Sequence, residues 1–379
     1  MNILWIPHTP RKRGFKHRHE HLIENLKDRH NIHIVEWDTF GDTPTGIINI
    51  VGSLNYSHRY LNGNHYHHLA RFYDIHRRMS REKSKASSVN EGLFQNQIRH
   101  ILRRFEIDVV VGGPSAYLTG FPPFDTGIPF IFDYLDCADW SVNNDWKKAD
   151  IIYIKNSAAV VAVSHLGCKQ AKMYSDNVYY VPNGVDVIRF QNASGEAVIE
   201  KFRLGDKKVI SLIGITCSPS LYFIDAVGEL GRERGDIRCL IVGESSIMPH
   251  LRKRVRKYGK TFVLTGPILY VEIPGYFAAT DVGLYPQDNL LYYHAANPIK
   301  VFEYAASGKW VVVSPQLDEI THLGFHNVVF SEPNVESLKN AIGGCLDREF
   351  PAVPANISDY DWQKLAGKLE NILYKIIGK

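Results

Sequence analysis

Cysteine is scarce in this sequence, and its arrangement excludes two common stabilising devices. The 379 residues contain five cysteines, which are widely spread, form no Cys-x-x-Cys pair and have no histidine nearby at zinc-finger spacing. Disulfide frameworks and structural zinc sites both need regularly spaced cysteines or histidines. We therefore expect neither in this chain.

Long apolar runs are also missing. No stretch reaches the roughly 20 consecutive apolar residues of a membrane-spanning helix. The first seven residues form a short strand-like run that ends in proline, unlike a signal peptide. No motif repeats at a period of about 20 to 50 residues, which argues against solenoids and propellers. These absences predict a cytoplasmic globular protein.

Positive charge is concentrated in the first third of the chain. The net charge is +4, and residues 1–104 contain 17 Lys and Arg against 9 Asp and Glu, together with twelve of the 17 histidines. The basic residues cluster at 11–18 and at 71–85. Such a surface attracts phosphate on a lipid, a polymer or a nucleic acid, although the second cluster is equally typical of a solvated helix face.

Short apolar, β-branched runs alternate with helical stretches in both halves of the chain. The predicted strands of the first half are 3–6, 32–36, 47–51, 109–111, 130–132 and 160–163. Those of the second half are 209–213, 239–242, 262–264, 282–285, 310–313 and 328–330. Such runs are typical of buried parallel strands, so the sequence predicts two doubly wound α/β domains in tandem. Neither half opens with Gly-x-Gly-x-x-Gly or a Walker A loop, which argues against dinucleotide redox chemistry and ATP hydrolysis.

The turn residues of 181–186 mark the predicted hinge between the domains. Proline fixes φ there and Asn-Gly permits positive φ. We predict a first domain at 1–185, a second at 186–360 and a terminal helix at 361–379 whose apolar face packs back on the first domain. Ligands of such sheets bind at the carboxyl ends of the strands, so we expect the site in a cleft between the two domains.

The segment 281–312 is the most informative one for chemistry. A strand ends near Tyr285, and a helix is predicted to begin after Pro298, where its free N–H groups suit a diphosphate. Lys300 lies in the first turn, where a cation is unfavourable for the helix alone, so a bound anion would explain it. Glu303 shares the face of Lys300 and can accept hydrogen bonds from a ribose diol. An ordinary surface ion pair is the alternative.

This segment resembles the nucleotide-sugar site of GT-B glycosyltransferases, especially the family-4-like bacterial enzymes of teichuronic acid and exopolysaccharide synthesis. Shorter matches follow in the expected order at 160–164, 180–186, 240–243, 264–267 and 273–276, so the resemblance covers most of residues 130–320. It implies two Rossmann-like domains facing each other across a cleft. It also implies that a nucleoside diphosphate sugar is held by Asn297, Pro298, Ile299, Lys300, Glu303, Gly243, Gly266, Tyr285 and Gly14.

The sequence departs from that family in two places. Many retaining members have two glutamates separated by seven residues, and the first position is Ala295 here. The Arg and Lys that commonly follow the first strand of the second domain are replaced by residues 214–220, which contain neither. Lys300 is therefore expected to neutralise more of the phosphate charge. Xanthan-type glucuronosyltransferases resemble this sequence in having fewer of these charged residues, and they are inverting enzymes. Both stereochemical outcomes therefore stay open.

Candidate residues for catalysis and acceptor binding come from the first domain. An inverting transfer needs a general base, and Asp133 and Asp136 both follow an apolar strand. The resemblance makes Asp136 the first candidate, since related enzymes have a comparable Asp after this strand, and Asp133 is the second. Helix capping is the alternative for both, and in a retaining enzyme Asp136 would only position the acceptor. Aspartates here stand three apart, not as Asp-x-Asp, so we expect no catalytic metal. No cofactor is expected either, because the nucleotide sugar is itself a co-substrate. The acceptor site is predicted to contain Arg13, His17, Arg18, Gly113 and Ser115.

The sequence therefore predicts a glycosyltransferase that moves a sugar from a nucleoside diphosphate sugar, with UDP the expected nucleotide, to a hydroxyl of a phosphate-bearing glycan, lipid or polymer. The basic first domain would recruit this acceptor, with peripheral contact at the inner face of the membrane as one route. The alternatives are a DNA-modifying glucosyltransferase, a GT-B-fold nucleotide-sugar epimerase and a non-catalytic nucleotide-sugar-binding subunit.

Overall fold

The protein divides into two compact units. The computed structural model describes residues 1–8, 16–39, 57–61, 65–72, 95, 98–113, 126–135, 144–214, 221–244, 247–287 and 296–378. One unit contains the start of the chain, Lys16–Val181 and Ala366–Lys379, and the other contains Pro182–Leu365. The division after Val181 lies four residues before the predicted boundary at 185.

The first unit is built on an eight-stranded sheet of order β3-β4-β2-β1-β5-β6-β7-β8. Only the β3–β4 pair is antiparallel among the pairings of the described strands. The strands are β1 Asn2–Ile6, β2 Asn31–Thr39, β3 Ser57–Leu61, β4 His65–Phe72, β5 Val109–Gly112, β6 Phe130–Tyr134, β7 Ala159–Ala162 and β8 Val178–Tyr180. The predicted strand at 47–51 lies outside the described residues.

Helices cover this sheet with their apolar faces. They are α1 Arg18–Leu26, α2 Asn144–Asn156 and α3 His165–Ala171, and residues 98–104 are also helical. Leu22, Ile23 and Leu26 of α1 are buried, as are Ile98 and Ile101. Every residue of β5, β6 and β7 is buried, and apart from Asp133 and Tyr134 at the end of β6 these strands are continuous apolar runs.

The second unit has a six-stranded, fully parallel sheet of order β11-β10-β9-β12-β13-β14. Its strands are β9 Lys208–Ile213, β10 Ile237–Val242, β11 Phe262–Gly266, β12 Val282–Pro286, β13 Trp310–Ser314 and β14 Val328–Phe330. Its helices are α4 Val187–Gln191, α5 Glu196–Phe202, α6 Tyr222–Arg234, α7 Met248–Val255, α8 Ile273–Ala278, α9 Ile299–Ala306, α10 Asp318–Thr321 and α11 Val335–Leu346. The strand order reverses between β9 and β12, and ligands of such sheets bind at this point.

Alternate residues of each central strand enter one of two separate cores. In β10, Leu240 and Val242 pack in the core that contains α9. Cys239 and Ile241 pack on the other face with α6 and α11. This burial on both faces is characteristic of a doubly wound sheet.

The last helix, α12 Trp362–Ile377, buries one apolar face. Trp362, Leu365, Leu369, Ile372 and Leu373 are all buried. The residues from Ala366 onward belong to the first unit, together with the chain start. Among the described residues, no helix is both long and apolar enough to cross a membrane.

Candidate functional site

The start of α9 lies beside the carboxyl ends of the strands of the second unit. Pro298 is the cap residue, with φ −77° and ψ 122°. The Val301 N–H donates to the Pro298 carbonyl at 3.1 Å, so the N–H groups of Ile299 and Lys300 precede the first hydrogen bond of the helix. Such a helix start favours an anion.

Lys300 and Glu303 form an ion pair directly behind this helix start. Lys300 Nζ lies 2.8 Å from Glu303 Oε2. The Glu303 side chain is only 2% exposed, whereas that of Lys300 is 27% exposed. The pair is therefore unlike an ordinary surface ion pair, because its carboxylate is buried and its cation reaches the surface.

Three more predicted donor residues lie at or near strand ends of the same sheet. Gly243 follows β10 and its N–H donates to the carbonyl of Gly266, the last residue of β11, at 3.1 Å. Tyr285 is half-buried in β12. The structure thus places these residues at or near the carboxyl ends of β10, β11 and β12, with β9 lying between β10 and β12 in the sheet.

Asn297 has partners that sequence reasoning missed. Its Oδ1 accepts a hydrogen bond from the Asn183 N–H at 3.0 Å, and its Nδ2 donates to Glu319 Oε1 at 3.2 Å. Asn183 Nδ2 in turn donates to the Asn297 carbonyl at 2.6 Å. These bonds fix the start of α9 against the residues that follow Pro182. The only sequence signal was the Asn-Gly turn, which does not indicate a partner 114 positions away.

Gln287 was also missed. It directly follows β12 and is 3% exposed. Its N–H donates to the Ser314 carbonyl at 2.6 Å, whereas its Oε1 has no hydrogen-bond partner within the part of the chain that the structure describes. A buried, unpartnered amide oxygen at a strand end can accept a hydrogen bond from a ligand hydroxyl.

In the first unit, two residues predicted for different roles are in contact. Arg18 begins α1, Asp133 lies in β6, and Arg18 Nε donates to Asp133 Oδ1 at 3.3 Å. Both residues are 4% exposed. Burial raises the pKa of Asp133, and the positive charges of Arg18 and His8 oppose this shift.

Two other candidates of the first unit, Gly113 and His17, lie next to members of this pair in space or in sequence. Gly113 packs on Asp133, since a Cβ at Gly113 would lie 2.8 Å from the Asp133 carbonyl oxygen. His17 is the cap residue of α1 and its ring stacks on His19 with centroids 5.8 Å apart. The predicted residues Gly14, Arg13, Ser115 and Asp136, and the departure at Ala295, lie outside the described residues.

Part of the chain matches a known protein family. Residues 211–348 match the family described as glycosyl transferases group 1. This stretch runs from β9 to α11 and includes Lys300 and Glu303. The chain has the GT-B fold, and its second unit matches the glycosyl transferases group 1 family over those residues. No curated protein sequence matches the chain.

Solved structures show the same fold over the whole chain. The α,α-trehalose-6-phosphate synthase of Burkholderia multivorans superposes with a TM-score of 0.73 at 12% identity, covering 100% of this chain and 99% of the synthase. HepE of Anabaena, solved with UDP, gives a TM-score of 0.60 at 14% identity, covering 100% and 96%. An E. coli trehalose-6-phosphate protein bound to UDP-2-fluoro glucose gives 0.67 at 9% identity, covering 100% and 97%. The predicted α/β architecture is confirmed.

Proposed function

We propose that this glycosyltransferase moves a sugar from a UDP-sugar to a hydroxyl of a phosphate-bearing acceptor. The observation that carries the proposal is the buried Glu303 carboxylate, paired with Lys300 at the start of α9. A ribose diphosphate has a diol that donates hydrogen bonds and a diphosphate that accepts them. The buried Glu303 carboxylate can accept from the diol, and the start of α9 can donate to the diphosphate.

The donor is held by groups with separate tasks. The N–H groups of Ile299 and Lys300 and the Lys300 ammonium bind the diphosphate, while Glu303 accepts hydrogen bonds from the ribose. Gly243, Gly266 and Tyr285 line the nucleoside side, at the ends of their strands. The ligands of structural neighbours support UDP as the nucleotide, since HepE was solved with UDP-glucose and the E. coli protein with UDP-2-fluoro glucose.

The acceptor carries a phosphate in this proposal. A trehalose-phosphate synthase of Burkholderia xenovorans was solved with glucose-6-phosphate, which supports an acceptor of this kind. In this chain, Arg18 and His17 offer cationic or hydrogen-bonding groups in the first unit, and Arg13, Gly113 and Ser115 complete the proposed acceptor set. A sugar phosphate and a phosphate-bearing glycan or lipid share this recognition chemistry.

The proposed reaction is a single group transfer. The acceptor oxygen forms a bond to the anomeric carbon while the bond from that carbon to the diphosphate oxygen breaks, and UDP leaves. The acceptor proton passes to a carboxylate, with Asp136 the first candidate and Asp133 the second, in an inverting transfer. In a retaining transfer it passes to the leaving phosphate. The raised pKa of Asp133 favours proton uptake, although its pairing with Arg18 also suits a positioning role.

Nucleotide binding tests the proposal. Calorimetry with UDP, GDP and ADP should show selective binding of UDP to the wild type. Glu303→Ala should weaken UDP binding by about tenfold or more, because hydrogen bonds to a charged group contribute about 1.5 to 3 kcal/mol each. Glu336→Ala, which removes a carboxylate whose side chain is 71% exposed, is the control and should bind UDP as the wild type does.

Two outcomes would contradict the proposed donor site. Equal binding of all three nucleotides, or of none, argues against a UDP-sugar donor. Unchanged UDP affinity in Glu303→Ala would remove Glu303 from the site. UDP binding without sugar transfer to any phosphate-bearing acceptor would instead favour a non-catalytic binding subunit.

A further inference from the structure

The chain leaves β9 through a glycine with an unusual backbone conformation. Gly214 has φ +75°, a region that side chains other than glycine rarely adopt. Its N–H donates to the Val242 carbonyl at 2.9 Å, which joins the ends of β9 and β10. Gly214 therefore lies at the carboxyl end of β9, beside the point where the strand order reverses.

The Lys300 side chain occupies the space where any other residue at 214 would carry its Cβ. An ideal Cβ on Gly214 would lie 2.8 Å from Lys300 Cε, 3.7 Å from Nζ and 3.9 Å from Cδ. A separation of 2.8 Å is too short for two carbon atoms, whose optimal separation is about 3.5 to 4.0 Å. One of the two groups would have to move.

Two contacts hold the Lys300 ammonium in its present place. Its ammonium is paired with Glu303 at 2.8 Å and lies 5.7 Å from the ring centroid of the buried Phe277. Because Gly214 has no side chain, the Lys300 side chain can extend past it to this place. A side chain at 214 would shift the ammonium from its place beside Glu303 and the start of α9.

We propose that Gly214 is a positioning residue for the donor diphosphate, acting through Lys300. The missing side chain leaves the path along which Lys300 reaches the proposed phosphate site. This inference rests on the proposed function. It matters in this chain because residues 214–220 contain no Lys or Arg, so no cation of that segment can take over from Lys300.

A positive φ does not by itself bring a side chain against a glycine, as a second glycine of this unit shows. Gly235, at the end of α6, has nearly the same φ of +73°, yet nothing lies within 4 Å of a Cβ built on it. Because both glycines have positive φ, alanine strains the backbone at either position, but only Gly214→Ala places a Cβ against Lys300. Gly235→Ala is accordingly the matched control.

The experiment compares UDP with uridine, which lacks the diphosphate. Gly214→Ala should weaken UDP binding roughly ten- to hundredfold, the effect of losing one charge-assisted hydrogen bond, measured by calorimetry. Its affinity for uridine, measured by NMR titration, should equal that of the wild type. Gly235→Ala should bind both ligands as the wild type does while losing a similar amount of thermal stability.

A double-mutant cycle tests whether the glycine acts through the lysine. In a Lys300→Met background, adding Gly214→Ala should weaken UDP binding no further. Should Gly214→Ala not fold, Gly214→Asn replaces it, with Gly235→Asn as its control, because asparagine tolerates positive φ but still places a side chain against Lys300.

Four results separate the possibilities. An equal loss of uridine and UDP binding, or a further loss in the Lys300→Met background, would overturn the positioning role. Wild-type affinity for UDP in Gly214→Ala would overturn it as well. If the wild-type protein itself bound no UDP, the proposed function would fail first and this inference with it.

Discussion

The two buried carboxylates proposed to act in this protein are stabilised in different ways. Glu303 pairs with Lys300 on the same helix, three positions away, and this cation remains partly exposed. Asp133 pairs with Arg18 from 115 positions away, and both partners are almost fully buried. Both charges of the Arg18–Asp133 pair are removed from water, whereas the Lys300 charge of the other pair stays partly hydrated, and breaking a pair whose two members are both buried is the most costly. The Arg18–Asp133 pair is therefore the more sensitive of the two.

Arg18→Gln should destabilise the protein in a pH-dependent way. Burial raises the folded-state pKa of Asp133, so its contribution to stability is fully present below its unfolded pKa of about 4 and is lost as pH rises. Without the Arg18 charge the pKa rises further, and this loss increases. We expect Arg18→Gln to lower the free energy of unfolding by about 3 to 5 kcal/mol at pH 7 and by less at pH 5.

Urea unfolding of wild type and variant at both pH values measures this difference. Arg103→Gln, at an exposed position of the helical residues 98–104, is the control and should unfold like the wild type. If the difference in free energy of unfolding between Arg18→Gln and wild type were the same at both pH values, the loss would not come from an unpaired Asp133 carboxylate.

At the scale of elements, the sequence pattern predicted the buried strands but not those with mixed surfaces. All six predicted strands of the second half are observed. The inner strands β9, β10, β12 and β13 are mostly buried on both faces, and the edge strands β11 and β14 are half-buried runs that are still largely apolar. β3 and β4 were not predicted, since His65–Phe72 contains three histidines and an arginine and has no β-branched residue. The start of α9 was predicted from Pro298, whereas the Asn183–Asn297 bonds depend on tertiary contact.

A charged cluster joins α6 to α7 and to the 3₁₀ turn Arg256–Thr261, which follows α7. Asp225 of α6 accepts hydrogen bonds from Arg254 at 3.1 Å and Tyr258 at 2.6 Å, and Lys257 Nζ lies 2.5 Å from it. Burial alone would raise the pKa of Asp225, but the hydrogen bonds from Arg254, Lys257 and Tyr258 together lower it well below its usual value. The cluster therefore stabilises the fold while Asp225 is ionised.

Asp225→Asn should destabilise the second unit at neutral pH. We expect a loss of about 1 to 2 kcal/mol, reduced by solvent screening because the Arg254 and Lys257 side chains are 39% and 51% exposed. Since the folded-state pKa is lowered, the stabilisation is present above pH 4 and is lost as pH falls. Thermal unfolding from pH 7 to pH 3 should show the variant and wild type converging, whereas Asp176→Asn, an exposed control, should match wild type throughout.

At the scale of the whole molecule, the two ends of the chain belong to one unit. Glu370 of α12 accepts hydrogen bonds from Arg29 Nε at 2.9 Å and Nη2 at 3.0 Å, and its Oε1 lies 2.5 Å from His30 Nε2. Arg29 and Glu370 are 341 positions apart. No local sequence pattern can predict such a pair. The apolar face of α12 was predicted, but a helical face does not identify the residues that it contacts.

Glu370→Ala should therefore loosen the first unit and leave the second unchanged. The variant leaves the buried His30 and the half-exposed Arg29 without this carboxylate, a loss of about 1 kcal/mol. Hydrogen exchange should become faster in β1 and in the first residues of β2, which follow Arg29 and His30 directly, while β9 and β12 exchange as in the wild type. Asn371→Ala, at the next and exposed position of α12, should change neither unit. Faster exchange in both units alike would show that Glu370 stabilises the molecule as a whole, and unchanged exchange in β1 and β2 would show that the apolar face of α12 is sufficient to hold the chain ends together.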